Sequence, residues 1–120
     1  MSNNLKLVTD YYNKLWKDKK LEAINEYCDQ NLILHSQKGK TIGVENVKSG
    51  VNEWLQLCPN LIMHLEKFYE ENNQVICEWS GQLNQETTDR FPGKSIFTIK
   101  DDKILEYTLE FNIEEAMKHA

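Results

Sequence analysis

Ser95-Ile96-Phe97-Thr98-Ile99-Lys100-Asp101-Asp102-Lys103-Ile104-Leu105-Glu106-Tyr107-Thr108-Leu109-Glu110-Phe111 is the stretch on which the fold turns. On either side of Asp101-Asp102-Lys103 the apolar period is two. Phe97 and Ile99 share one parity, and Leu105, Tyr107, Leu109 and Phe111 share another, as expected of half-buried strands. The acidic pair between them suits a tight hairpin turn, because aspartate tolerates left-handed backbone angles. Working upstream, Val75, Cys77, Trp79 and Leu83 alternate in the same way, and Glu71-Asn72-Asn73 supplies a second turn. Strands are thus predicted over Leu61 to Tyr69, Gln74 to Leu83, Ser95 to Lys100 and Ile104 to Phe111, forming an antiparallel meander. Its other face carries Glu78, Ser80, Thr98, Glu106, Thr108 and Glu110, with Ile62, Ile76, Ile96 and Ile104 on the same parity.

Before Pro59 the period is mostly helical. Leu5, Val8, Tyr12, Leu15 and Trp16 mark an amphipathic helix from about Leu5 to Lys19. Leu21, Ile24, Tyr27 and Cys28 mark a shorter second one. Leu32-Ile33-Leu34 is a brief apolar strand closed by the polar turn at Ser36 to Lys40. Gly43 opens a third helix with Val44, Val47, Val51, Trp54, Leu55 and Cys58 inward, and Pro59 marks its end. Gly50 within it is expected to permit close packing. Asn112 is a candidate N-cap for a short C-terminal helix, Ile113 to His119.

A length of 120 residues suits one domain, spanning 1–120, with a core large enough to fold without a metal or disulfide. Fourteen basic residues against nineteen acidic ones give a net charge of −5, which argues against nucleic acid as a partner. No apolar stretch approaches the roughly twenty residues of a membrane span, and the first residues lack the pattern of a signal peptide. A cytoplasmic location is expected. Cys28, Cys58 and Cys77 are too widely spaced for a metal knuckle and fall on apolar positions, so they read as small core hydrophobes. No zinc, dinucleotide or phosphate-loop motif occurs, so neither metal nor cofactor is expected.

Tyr11-Tyr12-Asn13-Lys14-Leu15-Trp16, Leu32-Ile33-Leu34-His35-Ser36, Gly43-Val44-Glu45-Asn46-Val47 and Lys103-Ile104-Leu105-Glu106-Tyr107, in that order and spacing, resemble the nuclear transport factor 2-like superfamily. Ketosteroid isomerases and SnoaL-type polyketide cyclases belong to that group. The resemblance implies an α+β fold: three N-terminal helices on a curved, antiparallel-rich sheet enclosing a cone-shaped apolar pocket. It also implies a homodimer through the outer sheet face, to which the isoleucines of that parity would contribute. Matched by position, Tyr12 falls where the isomerase tyrosine would be, while Ser36 and Ser95 replace the two expected acids. Serine cannot act as the base that a carboxylate provides, so no ketosteroid isomerisation is expected. In cyclase-type sites a carboxylate works beside histidine or asparagine; here Glu110 and Asn112 lie near the last strand, with Glu110 on the polar face.

The function expected is therefore binding of a small hydrophobic molecule by Tyr12, His35, Trp54, Trp79 and Tyr107. His35, at the strand end, and Tyr12 are the candidates for any catalytic or hydrogen-bonding role, since histidine titrates near neutrality. Trp16, Tyr27 and Phe111 read as core packing. Arg90, the single arginine, sits in a loop at the expected pocket rim. Two other readings are a cofactor-free isomerase, cyclase or hydrolase acting on a small carbonyl compound, and a protein-interaction module using the sheet face.

Overall fold

Six strands form one sheet in the order β2-β1-β6-β5-β4-β3, and the helices cover one of its faces. The computed structural model describes residues 3–87 and 89–111, so the expected C-terminal helix lies outside the described residues. Helix α1 (Asn3–Tyr12) runs directly into a π-helical segment (Asn13–Lys17), and α2 (Glu22–Tyr27) follows. Strands β1 (Cys28–Ser36) and β2 (Gly39–Ile42) then form a hairpin, and α3 (Val44–Leu57) leads into the meander β3 (Ile62–Glu71), β4 (Gln74–Gln82), β5 (Phe91–Lys100) and β6 (Lys103–Phe111). Three helices on a mostly antiparallel sheet is the architecture the alternation predicts.

The turns form for the expected reason. Asn72, Asn73, Asp101 and Asp102 all have positive φ, between 52° and 64°, the left-handed geometry that two-residue hairpin turns need. At Gly43, φ is +96°, a backbone region that side chains oppose. There its N–H donates to Leu32 O (2.7 Å) and its carbonyl accepts from Val47 N–H (3.1 Å), so one glycine joins the start of α3 to β1.

The strand expected from Ser95 begins four residues earlier, at Phe91, and three further features depart from the sequence reading. The first helix is not uniformly α-helical: Asp18 N–H donates to Asn13 O at 3.0 Å, a five-residue step that widens the turn around Leu15 and Trp16. The short strand at Leu32 grows to nine residues and gains β2 as a partner, because β6 pairs with it in parallel from Cys28 to His35. Tertiary pairing overrides weak local preference here. Finally, Ile104 does not join the outer isoleucines. The register slips between Phe97↔Tyr107 and Ile99↔Ile104, so a bulge at Leu105 turns Ile104 into the core, where it is fully buried.

The core lies between the helices and the sheet. Val8, Tyr11, Leu15 and Ile24 from the helical layer meet Leu32, Val75, Cys77, Phe97 and Ile104 from the strands. All three cysteines are free and buried, as small hydrophobes should be.

Candidate functional site

Side chains from α1, α3 and the inner face of the sheet leave a cavity of about 240 Å³ between them. Tyr11 and Tyr12 close it from α1, Val47 and Trp54 from α3, and Trp79, Phe91, Tyr107, Leu109 and Phe111 from the sheet. Each sheet residue is there by parity. Trp79 faces Gly93 across the β4–β5 ladder, and Phe97 faces Tyr107 across β5–β6.

Two glycines make room for the ring walls. A Cβ on Gly93 would stand 2.1 Å from Trp79 Cζ2, and one on Gly81 would stand 2.3 Å from Phe91 Cζ. Both large rings therefore lie flat across a neighbouring strand where only hydrogen can sit beneath them. Gly50, by contrast, has nothing within 4 Å of a built Cβ; it borders the cavity and does not serve close packing as the sequence suggested.

The polar groups that brace the deep wall are neutral. Ser95, fully buried, accepts a hydrogen bond from Trp79 Nε1 (3.1 Å) and shares one with the Tyr12 hydroxyl (2.6 Å). This chain ties α1 to β4 and β5 and holds the indole edge in place. Burial raises the Tyr12 pKa well above the ordinary tyrosine value, against the opposing pull of the Ser95 bond, so the phenol stays protonated at physiological pH. Tyr11 and Tyr107 are likewise pushed upward by burial first and by their neighbours second. The Tyr11 hydroxyl differs from that of Tyr12 in its neighbours: it lies against Tyr107 and Cys28, not Ser95.

Charge is confined to the edge and to the other face. Lys38 and Glu53, the charged residues that line the cavity, are both exposed. His35 does not join Tyr12, Trp54, Trp79 and Tyr107. In β1 it follows inward-facing Leu34, pairs with Thr108 in register, and binds the Glu106 carboxylate through Nε2 on the outer face. Ser36, one residue on, does border the cavity, and its hydroxyl bonds locally to Gly39 O at 3.4 Å. Phe111 and Trp16, expected as core packing, are part of the cavity wall. Arg90 lies 3.7 Å from Glu66, which Ser80 also holds at 2.6 Å.

Sequence reasoning singled out Ser95 only as the replacement of an expected acid, and it missed Tyr11 on the cavity wall. Tyr11 was out of reach, because adjacent tyrosines on a helix leave open which one is enclosed. Among the described residues no cluster of three or more His, Cys, Asp or Glu side chains could hold a metal ion. No described helix is long and apolar enough to cross a membrane.

An α+β sheet with its helices on one face and an aromatic cavity between the layers is the nuclear transport factor 2-like architecture. Within that class the chain belongs to the SnoaL-like domain family, whose model matches residues 8–107. No curated protein shows a significant match. Among solved structures it resembles TerC co-crystallised with polyporic acid, at 14% identity and TM-score 0.83, covering 98% of this chain and 97% of that one. It also resembles an NTF2-like protein of unknown function from Burkholderia pseudomallei K96243, at 11% identity and TM-score 0.83, covering 98% and 97%. A SnoaL-like polyketide cyclase candidate from Jannaschia sp. CCS1 aligns at 12% identity and TM-score 0.80, covering 99% and 94%. At such identities the likeness is one of fold.

Proposed function

We propose that the protein binds a small, uncharged, mostly apolar molecule in the cavity between α1, α3 and the sheet. One observation carries this reading: a cavity of about 240 Å³ is walled by aromatic rings, and the charged groups lining it, Lys38 and Glu53, are exposed. Rings supply apolar contact and hydroxyl tips supply orientation, the usual composition of a small-molecule site. An ionised ligand would lose its hydration without gaining a counter-charge inside. TerC, which shares the fold, was crystallised with polyporic acid, and this supports a ligand-holding use of the architecture.

The test is titration of the intrinsic tryptophan fluorescence with a panel of uncharged bicyclic compounds, repeated on Trp79→Leu and Leu109→Phe. Saturable binding that weakens by about tenfold or more in both variants, with circular dichroism unchanged, supports the cavity. Equal affinity in both places the site elsewhere, and no binding favours the protein-interaction module.

A cofactor-free isomerase, cyclase or hydrolase is the second reading, and family membership favours it. The inner face argues against a proton-shuttling version. Ser95 stands at one position where an isomerase acid is expected, and its hydroxyl is committed to Tyr12 and Trp79. Ketosteroid isomerisation should be undetectable; turnover of even about 1 per second would reinstate an enzymatic reading.

The outer sheet face is the proposed dimer surface. Ile76, Ile96 and Tyr69 face one another there in register, flanked by charged residues. Light scattering at micromolar concentration should give twice the 14.1 kDa chain mass, and a monomer mass would remove the proposal.

A further inference from the structure

Four of the residues that line the cavity are exposed, and they lie together. Asn46, Gly50 and Glu53 form one ridge of α3, and Lys38 belongs to the turn of the β1–β2 hairpin beside it. One position on from each ridge residue stand Val47, Val51 and Trp54, which turn inward. The two valines are buried, and the indole packs against Phe111 at 6.0 Å. Every other lining residue is buried or partly buried. The cavity therefore opens to solvent between α3 and the β1–β2 hairpin, and Gly50 stands at the middle of one lip.

Nothing local accounts for that glycine. Within a helix it is less favourable than alanine, because it has more backbone freedom to lose on folding. Its backbone is ordinary helix, and a Cβ built on it meets nothing within 4 Å. Neither a special φ nor a close neighbour requires the missing side chain. Gly81 and Gly93 are different, since a ring lies against each. What a side chain at Gly50 would occupy is the opening itself. Departures from local preference that packing does not explain are expected at functional positions.

We propose that the ligand enters and leaves between α3 and the β1–β2 hairpin, and that Gly50 is the threshold residue that keeps this passage wide. The proposal rests on the ligand-binding reading and adds to it a route and a limit on shape. A flat, neutral aromatic molecule passes over Gly50 with its apolar end leading, and its more polar end stays at the rim among Asn46, Lys38 and Glu53. A side chain that had to swing aside would slow entry and exit by the same factor and leave the affinity where it was, because both directions cross one barrier. A wall residue acts differently: it changes affinity, chiefly through dissociation.

Stopped-flow fluorescence with N-phenyl-1-naphthylamine, a neutral probe that brightens in apolar surroundings, tests this on wild type and three variants. In Gly50→Leu, association and dissociation should both slow by roughly two- to fivefold, the effect of confining a leucine to the rotamers that clear the passage, with affinity unchanged. Ser49 is exposed on the same helix and does not line the cavity, so Ser49→Leu should keep wild-type rates. Gly50→Ala without probe should melt at a higher temperature than wild type. Wild-type rates in Gly50→Leu, or an affinity change that falls on dissociation alone, overturn the entrance while the ligand-binding reading stands. Equal slowing in Ser49→Leu overturns it as well. So does a lower melting temperature in Gly50→Ala, which means that the fold itself requires the glycine. A wild type that does not bind the probe overturns both.

Discussion

The two faces of the sheet divide the chemistry of this protein between them. The inner face of β4, β5 and β6 presents Val75, Cys77, Trp79, Ser95, Phe97 and Tyr107, all nearly or wholly buried. Its polar atoms are hydroxyls and an indole N–H. The outer face presents His35 on Glu106, Ser80 on Glu66 and Gln74 on Thr98, pairs that are partly buried. His35 and the carboxylates Glu66 and Glu106 therefore stand on the side away from the cavity. A sheet can keep two such inventories apart because successive residues alternate sides, and a fold that looks ready for acid–base work can line its cavity with groups that only hold and orient.

Truncating the inner face should have the largest effect. Phe97→Ala removes a fully buried ring stacked on Tyr107 at 5.0 Å, and should cost about 3–5 kcal/mol in urea denaturation. Thr98→Ala, one residue along and on the other face, should cost well under about 1 kcal/mol. Equal costs would mean that the two faces are not packed differently.

Gly93→Ala should come next, at about 1–3 kcal/mol, because the new methyl must displace the indole of Trp79. The shift should also move the tryptophan emission maximum, which a purely backbone effect would leave in place.

Alkali then separates the faces without any substitution. Burial pushes the Cys28 and Cys77 thiols up to about 12, while an unfolded thiol titrates near about 8.5. Above that pH the unfolded chain has lost protons that the folded chain keeps, so the stability present below it falls as pH rises. The loss should be close to 1 kcal/mol per thiol at pH 9. It should deepen above pH 10 as the tyrosines join, since their folded values are also raised. Denaturation midpoints that stay flat from pH 7 to 10 would contradict the buried placement of these groups.

The smallest effect belongs to the outer face. Glu106→Gln weakens the contact with His35, but both side chains are about 40% exposed, so the cost should lie between about 0 and 1 kcal/mol. A cost above that range would show the pair covered by something in solution, as a second copy of the chain would cover it.

Much of this was legible in the residues themselves. The meander, its two left-handed turns and the third helix followed from alternation, Asn72-Asn73, Asp101-Asp102 and the bracket of Gly43 and Pro59. Where the reading failed, the pattern lacked phase. Leu32-Ile33-Leu34 is apolar at every position, so nothing in it says which side His35 faces; the pairing of Leu34 with Tyr107 decides that, from a strand more than seventy residues away. Ile104 was misplaced because strict alternation has no means of showing a bulge. Tyr12, Trp54, Trp79 and Tyr107 share a cavity because stripe and parity are local properties. The hydrogen bonds that distinguish Tyr12 from Tyr11 depend on Ser95, and no local property of the helix reveals them.

The parallel join between β1 and β6 has a consequence for how the chain reaches this state. Ile33 pairs with Glu106, so the first third of the polypeptide waits for the last strand before it has a lateral neighbour on that side. The meander can assemble from adjacent hairpins, each closed by a short turn, whereas this seam must close a loop of some seventy residues and should form late. A nascent chain still short of Ile104 would hold Leu32 and Leu34 on an uncovered strand edge, the kind of surface on which unfinished chains pair with each other. Yield during synthesis should accordingly depend on how fast the last strand arrives, and a permuted chain in which β6 precedes β1 by a short linker should refold faster and aggregate less.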